Sequence, residues 1–379
     1  MQSGGRHSGT VSCVNEPDSA AENTNNPAEG LSYAAAGVDI DAGERAVELI
    51  SSHAKRATRP EVLGGLGGFS GLFALKGNYR EPILAAASDG VGTKLAVAQA
   101  VGKHDTVGRD LVAMCVDDLV VCGAEPLFLQ DYIAIGKVIP ETVAEIVGGI
   151  ADGCVEAGCA LLGGETAEHP GLMRDDHYDL SATAVGVVEA DALLSPEKVR
   201  AGDVVIAMGS SGLHSNGYSL ARKVLLEWGH MDLFGHVEEF GRTLGEELLE
   251  PTRIYARDCL ALAAEADVRT YCHVTGGGLA ENLARVIPAG LTAELERSTW
   301  TPAPIFSLIG HRGRVAQLEM ERTFNMGVGM VAVVAPEDTD RAQAVLTARH
   351  VDNWVLGTIK RAADADTDRV ELVGEHPRF

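Results

Sequence analysis

Hydrophobic positions along the chain switch between two spacings, short apolar runs and residues recurring every three or four positions. This is the pattern of strands alternating with helices. Pro82-Ile83-Leu84-Ala85-Ala86-Ala87 reads as a buried strand running into a turn over 88–94, then a helix to about Val101. From about Gly108 to Cys122, Leu111, Cys115 and Leu119 fall at i, i+4 and i+8, which buries one face of a second helix. Residues 127–135 read as a strand, and Pro140 opens a helix whose core face carries Val143, Ile146, Val147, Ile150 and Cys154. Ala160-Leu161-Leu162 returns as a strand ending in the loop Gly163-Gly164-Glu165-Thr166, and a further strand covers 180–188.

A turn-rich connector follows, and a second half restarts with a strand over 204–209, a polar loop over 210–217 and a helix to about Trp228. The same order of strand, glycine loop and helix recurs around Cys272 to Val286, and later elements are a strand over 329–334, a helix near 338–349 and short strands near 354–359 and 370–373. The alternation predicts an α/β (α+β) architecture in two domains, 31–193 and 203–361. Residues 1–30, with almost no large apolar side chains, are expected to be a disordered extension. Residues 362–379 read as an acidic tail.

Composition narrows the function. The 379 residues leave room for two domains, and 46% hydrophobic with 22% charged residues supports an ordinary core. The formal net charge of −23 repels phosphate backbones and anionic membrane surfaces, so nucleic acid and membrane are not expected partners. The chain lacks an apolar span and the N-terminus lacks a signal-peptide core, which points to the cytoplasm. Seven scattered cysteines read as reduced core residues; Cys154 and Cys159 have no second pair to complete a zinc site.

The candidate chemistry lies in the glycine loops. Residues 64–71 (Gly-Gly-Leu-Gly-Gly-Phe-Ser-Gly) could bring backbone amides close to phosphate oxygens. Asp89 at a strand end, with Gly90, Gly92, Thr93 and Lys94, combines an oxygen ligand for magnesium with donors for phosphate. Asp117 and Asp118 lie in an otherwise apolar helix, and Glu165 and Glu168 follow Gly163-Gly164. Ser210, Ser211, His214, Ser215 and Asn216 precede a helix, where free amides favour an anion, and residues 275–278 form a similar turn. A P-loop, a dinucleotide fingerprint, a G-x-S-x-G elbow and H-E-x-x-H are all absent, which disfavours those enzyme classes.

Eleven segments in order, among them Gly37 to Gly43, residues 64–71, Asp89 to Lys94, His104 to Gly108, Asp117 to Val120, residues 163–168, residues 209–218, Pro251 to Tyr255, residues 275–278 and Phe324 to Gly329, resemble the phosphoribosylformylglycinamidine cyclo-ligase (aminoimidazole ribonucleotide synthetase) family over about residues 31–359. The resemblance implies a homodimer whose N-terminal domains form a β-barrel across the interface, and a C-terminal domain of α-β-α layers. It implies ATP-dependent ring closure of formylglycinamidine ribonucleotide with magnesium. Asp89, Asp118 and Glu165 are the implied metal ligands, and family members with Asn at position 117 make Asp117 the weaker choice. Asp89, Lys94 and His214 are the implied catalytic residues. Gly64, Gly65, Gly67, Gly68, Ser70, Gly71, Gly90, Thr93, Ser210, Ser211, Asn216, Thr275 and Gly276 would hold nucleotide or substrate. Thiamine-monophosphate kinase shares the architecture but lacks the wording of 209–218 and 275–278. Selenophosphate synthetase usually carries a Cys or selenocysteine just before its glycine-rich segment, and no Cys lies between Leu31 and Gly64.

Overall fold

The computed structural model describes residues 32–65, 68–77, 79–364 and 367–377. The expected N-terminal extension and Gly67 lie outside the described residues.

The first half is built on one four-stranded sheet. Its strands are β1 (Pro82–Gly90), β2 (Glu125–Ile135), β3 (Ala160–Glu168) and β4 (Tyr178–Glu189), in the order β1-β4-β2-β3. Only β2 and β3 run parallel, and α2 (Pro140–Ala157) makes that crossover, as the βαβ connection requires. Its Pro140 occupies the first turn, where a missing N–H is harmless, and Gly158 closes it in the left-handed conformation. Against α2 packs α1 (Val107–Val120), almost wholly buried, so both helices cover one face of the sheet. The other face leaves Leu84 and Tyr132 exposed at 62% and 42%. Among the described residues the sheet stays open and no closed barrel forms within one chain.

The second half is a six-stranded sheet of β5 (Val204–Gly209), β6 (Val268–His273), β7 (Leu291–Glu296), β8 (Val328–Val334), β9 (Asn353–Arg361) and β10 (Val370–Val373), ordered β6-β8-β5-β9-β7-β10. Along β5, Ile206 and Met208 join one core while Val205 and Ala207 join another, so both faces are covered by helices. That alternation is what an α-β-α sandwich demands of a central strand. β10 is the short strand expected over 370–373, and it carries the sheet beyond Arg361 into the segment also read as an acidic tail.

One expected loop is strand instead. Gly163 and Gly164 continue β3 through Glu168 because the chain pairs with β2 along its full length. A Cβ at Gly164 would lie 2.4 Å from Asp131 Oδ1, so the glycine permits close strand approach there.

Candidate functional site

A cleft between the two domains gathers part of the predicted chemistry. On the N-terminal side, Ala85, Ala87 and Asp89 share the helix-facing side of β1, so Asp89 emerges at the strand end over α1. Burial first, and then the negative charge of Asp118, push the Asp89 carboxyl above the ordinary aspartate range, against a hydrogen bond from the Gly90 amide at 2.7 Å. Gly90 must be glycine, since a Cβ would lie 2.8 Å from the Leu180 carbonyl oxygen. Asp118, on α1, is half-exposed and faces a cavity of about 340 Å³ lined also by Ser88, His273, Asn282 and Arg285.

From the C-terminal side, His273 ends β6 and places Nδ1 2.9 Å from Asp118 Oδ1. Burial lowers its pKa, yet the Asp118 hydrogen bond and the charges of Asp117, Asp118 and Asp89 outweigh this and hold it above the usual histidine value. Its Nε2 is buried without a protein partner. Thr93 and Ser219 bring their hydroxyls within 3.2 Å across the domain boundary. Asn216 faces loop 275–278: its Nδ2 lies 3.9 Å from where a Cβ on Gly276 would stand. The Asn282 side-chain amide ties that loop by donating to the carbonyls of Gly276 at 3.1 Å and Gly278 at 2.8 Å.

Three sequence assignments are placed differently. Lys94 does not face the cleft. Its ammonium is buried and donates to Asp110 Oδ1 at 2.8 Å and to the carbonyls of His214 at 3.1 Å and Glu250 at 2.6 Å, which leaves it no free donor geometry for phosphate. His214 is buried too. Its Nε2 accepts from the Ser211 amide at 3.1 Å, so the neutral ring carries its proton on Nδ1. Burial, with the nearby charges of His273, Lys94 and Arg253, pulls it well below the ordinary histidine value, which suits a loop-holding side chain better than a proton carrier at neutral pH. Glu165 is separated from the other two proposed ligands. The register runs Gly90 to Ser181, Ser181 to Tyr132 and Tyr132 to Glu165, three strand spacings or about 14 Å from the Asp89 end.

Glu165 instead lines a second cavity of about 690 Å³ with Gly68, Asp131, Gly163, Gly164 and a helix over Ile40–Arg56. Gly71 lies on that side with Gly68, for a Cβ at Gly71 would lie 2.4 Å from Leu162 Cγ on β3. Ser210 and Ser211 turn inward as well: Ser210 Oγ donates to the Gly212 carbonyl at 3.0 Å, and Ser211 Oγ to that of Pro251 at 2.6 Å. Asp117 is buried, accepting the Tyr255 amide at 2.9 Å, and burial raises it to about 7. Among the described residues, no group of three His, Cys, Asp or Glu side chains converges as a self-sufficient metal site. Asp89 and Asp118 nonetheless fit magnesium. They are hard oxygen donors, one of them raised partly by the other's charge, and magnesium commonly takes one or two carboxylates with phosphate and water completing its shell.

His273 and Ser219 escaped the sequence reading. A histidine ending a fully buried strand just before a glycine loop was the one available signal for the first.

Known proteins resemble the chain almost end to end. A curated phosphoribosylformylglycinamidine cyclo-ligase from Anaeromyxobacter dehalogenans is 55% identical over 332 residues, 87% of this chain and 96% of its own length. The chain belongs to the phosphoribosylformylglycinamidine cyclo-ligase family. Further cyclo-ligases, from Desulfitobacterium hafniense and Paraburkholderia phymatum, are 52% and 48% identical, covering 87% and 94% of this chain and 97% and 99% of their own lengths. The family model "AIR synthase related protein, N-terminal domain" matches residues 78–188, and "AIR synthase related protein, C-terminal domain" matches residues 200–367. Membership in the cyclo-ligase family makes the protein an enzyme of the ligase class. The fold is shared more widely: thiamine-monophosphate kinase from Stenotrophomonas maltophilia superposes with a TM-score of 0.61 at 19% identity, covering 87% of this chain and 96% of its own. The hydrogenase maturation protein HypE in complex with ATP gives 0.60 at 19%, covering 87% and 91%.

Proposed function

We propose that the protein closes the imidazole ring of aminoimidazole ribonucleotide in purine biosynthesis, from formylglycinamidine ribonucleotide and ATP. The observation that carries this reading is the pair Asp89 and Asp118 at an interdomain cleft beside Gly90, Asn216 and Gly276, in a chain about half identical to named cyclo-ligases. In the proposed reaction the substrate formyl oxygen attacks the γ-phosphorus of ATP and ADP leaves. An amidine nitrogen then attacks the activated carbon, and that oxygen departs as phosphate while the nitrogen gives up a proton. Such chemistry depends on positioning and charge neutralisation more than on a protein nucleophile.

Asp89 and Asp118 would hold magnesium, which when bound neutralises phosphate charge. The Gly276 amide, the Thr93 hydroxyl and the Asn216 amide would orient the phosphates and the ribonucleotide, while the Gly90 amide holds the Asp89 carboxylate. His273 would fix the Asp118 carboxylate through their 2.9 Å contact. Lys94 and His214 would act behind the site, shaping loop 210–217. The separation of Glu165 and segment 64–71 from Asp89 favours a homodimer in which the uncovered sheet faces meet, so that one chain's glycine segment and Glu165 can serve its partner's cleft. Sedimentation at micromolar concentration tests that arrangement.

The deciding assay is incubation with formylglycinamidine ribonucleotide, ATP and magnesium, followed by detection of aminoimidazole ribonucleotide and ADP. Formation of both in equal amounts, and their loss by a factor of about 10³ in a folded Asp89→Asn variant, is the expected result. ATP consumption without imidazole would replace this reading by a kinase-like one, and near-normal turnover by Asp89→Asn would remove Asp89 from the site.

A further inference from the structure

The C-terminal segment 370–376 reaches both cleft loops of its domain from behind. β10 forms the sheet edge and pairs in parallel with β7, Val370 opposite Ala293 and Val373 opposite Glu296. From the end of β7 the Arg297 guanidinium makes a two-pronged pair with Glu321, at 2.7 and 2.8 Å, and donates from its remaining prong to the carbonyls of Leu372 at 2.6 Å and Gly374 at 3.3 Å. Glu321 lies directly beneath loop 275–278. A Cβ on Gly278 would fall 1.8 Å from the Glu321 carbonyl oxygen, so the two backbones are in contact.

A second line of contacts starts at His376, whose side chain is 1% exposed. Its ring meets Trp300 edge-on, centroids 4.6 Å apart at 80°, and its Nε2 stands 3.7 Å from Glu321. Trp300 Nε1 donates to the Met326 carbonyl at 2.9 Å. The next residue, Gly327, accepts the Ser210 amide at 2.9 Å, and Asn325 donates to the Gly212 carbonyl at 2.9 Å with its Oδ1 3.1 Å from Ser210 Oγ, which shares its one proton between that oxygen and the carbonyl.

We infer that segment 370–376 is a strap that sets the geometry of loops 210–217 and 275–278, with His376 and Arg297 as positioning residues for the reaction. Ordering a segment costs about 1–2 kcal/mol of backbone entropy per residue, a cost that the strand pairing and the Arg297 and Trp300 contacts offset. The strap also lies beyond residue 367, where the match to the C-terminal family model stops. Its effect on catalysis rests on the proposed role of the two loops; its effect on their order does not.

Two measurements separate these. In the ligand-free protein, a chain ending at Val373 and, as a milder change, His376→Ala should raise amide exchange in 210–217 and 275–278 by about tenfold while the distant helix α2 exchanges as before. With substrates, the same variants should raise KM for the ribonucleotide by about three- to tenfold with kcat changed less, and His376→Phe, which keeps a ring against Trp300, should restore most of the loss. Unchanged exchange in both loops in His376→Ala overturns the strap, whatever the enzyme assay shows. Raised exchange with no change in KM keeps the strap but removes its link to substrate binding. Equal losses in His376→Phe and His376→Ala would overturn the ring contact as the means of positioning.

Discussion

The ammonium of Lys94 and the carboxylate of Asp110 stand 2.8 Å apart with neither side chain exposed, and the same ammonium reaches the backbone of the other domain at His214 and Glu250. Asp110 Oδ1 meanwhile accepts the Thr252 amide at 2.7 Å and its hydroxyl at 2.6 Å. One buried ion pair therefore carries four contacts between the halves of the molecule. It explains why loop 210–217 holds a fixed relation to the Asp89 strand end.

Removing one partner of such a pair strands the other in a low-dielectric site. Lys94→Met is expected to destabilise the protein by about 3–5 kcal/mol, read from the urea midpoint. The double variant Lys94→Met with Asp110→Asn should lose less than the two single losses combined, because the stranded charge is gone. An additive double variant would mean that the two groups act independently.

His214 adopts φ of 62° and uses its ring to hold the Ser211 amide. His214→Ala is expected to leave that amide unpaired at about 1–3 kcal/mol and to act mainly through KM. The pH profile of kcat between about pH 6 and 8 should keep its shape, since a histidine held neutral by burial has no proton to trade there. Loss of one limb of the profile in this variant would restore a proton-transfer role.

Gly278 has no room for a side chain and sits at φ of +70°. Gly278→Ala should separate helix 278–284 from Glu321 and cost at least about 1–3 kcal/mol of strain, with loss of ribonucleotide affinity measured by calorimetry. Wild-type affinity in this variant would show that loop 275–278 does not touch the ligand.

Glu321 titrates in the acid range. Burial raises its carboxyl, but Arg297, His376 and Gln317 win, and its folded pKa falls to about 2 from 4.5. A depressed carboxylate contributes stability above its unfolded pKa and loses it as pH falls through the folded one. The thermal midpoint of wild type should therefore exceed that of Glu321→Gln at pH 6, and the gap should close between pH 4.5 and 2. A gap that stays constant over that window would show that the Arg297 pair contributes nothing electrostatic.

Local signals in the sequence were read well where one residue type has one physical meaning. Pro140 opened its helix, and the apolar runs of β1, β2 and β5 were strands. Asp89 at a strand end reached the cleft. Legibility failed where tertiary packing chooses among uses of the same side chain. Lys94 follows two glycines and a threonine, a wording that suits phosphate equally well, and only the arrival of Asp110 and Glu250 commits it to a buried pair. Glu165 is grouped with Asp89 and Asp118 by the family resemblance, whereas strand order, set by long-range pairing, puts three spacings between it and the Asp89 strand end. The helix Ile40–Arg56 went unread although its sequence is amphipathic, with Ile40, Val47, Ile50 and Ala54 lining the cavity beside β3.

The ammonium of Lys94 also has a bearing on synthesis. As the chain leaves the ribosome, residues 82–189 can pair into their sheet long before Glu250 has been made, and until then the Lys94 ammonium has Asp110 but neither second-half carbonyl, on a surface still open to water. Closure around Lys94 and Asp110 therefore waits for the second half, so this corner of the first domain should gain its protection from proteases only when the two halves dock.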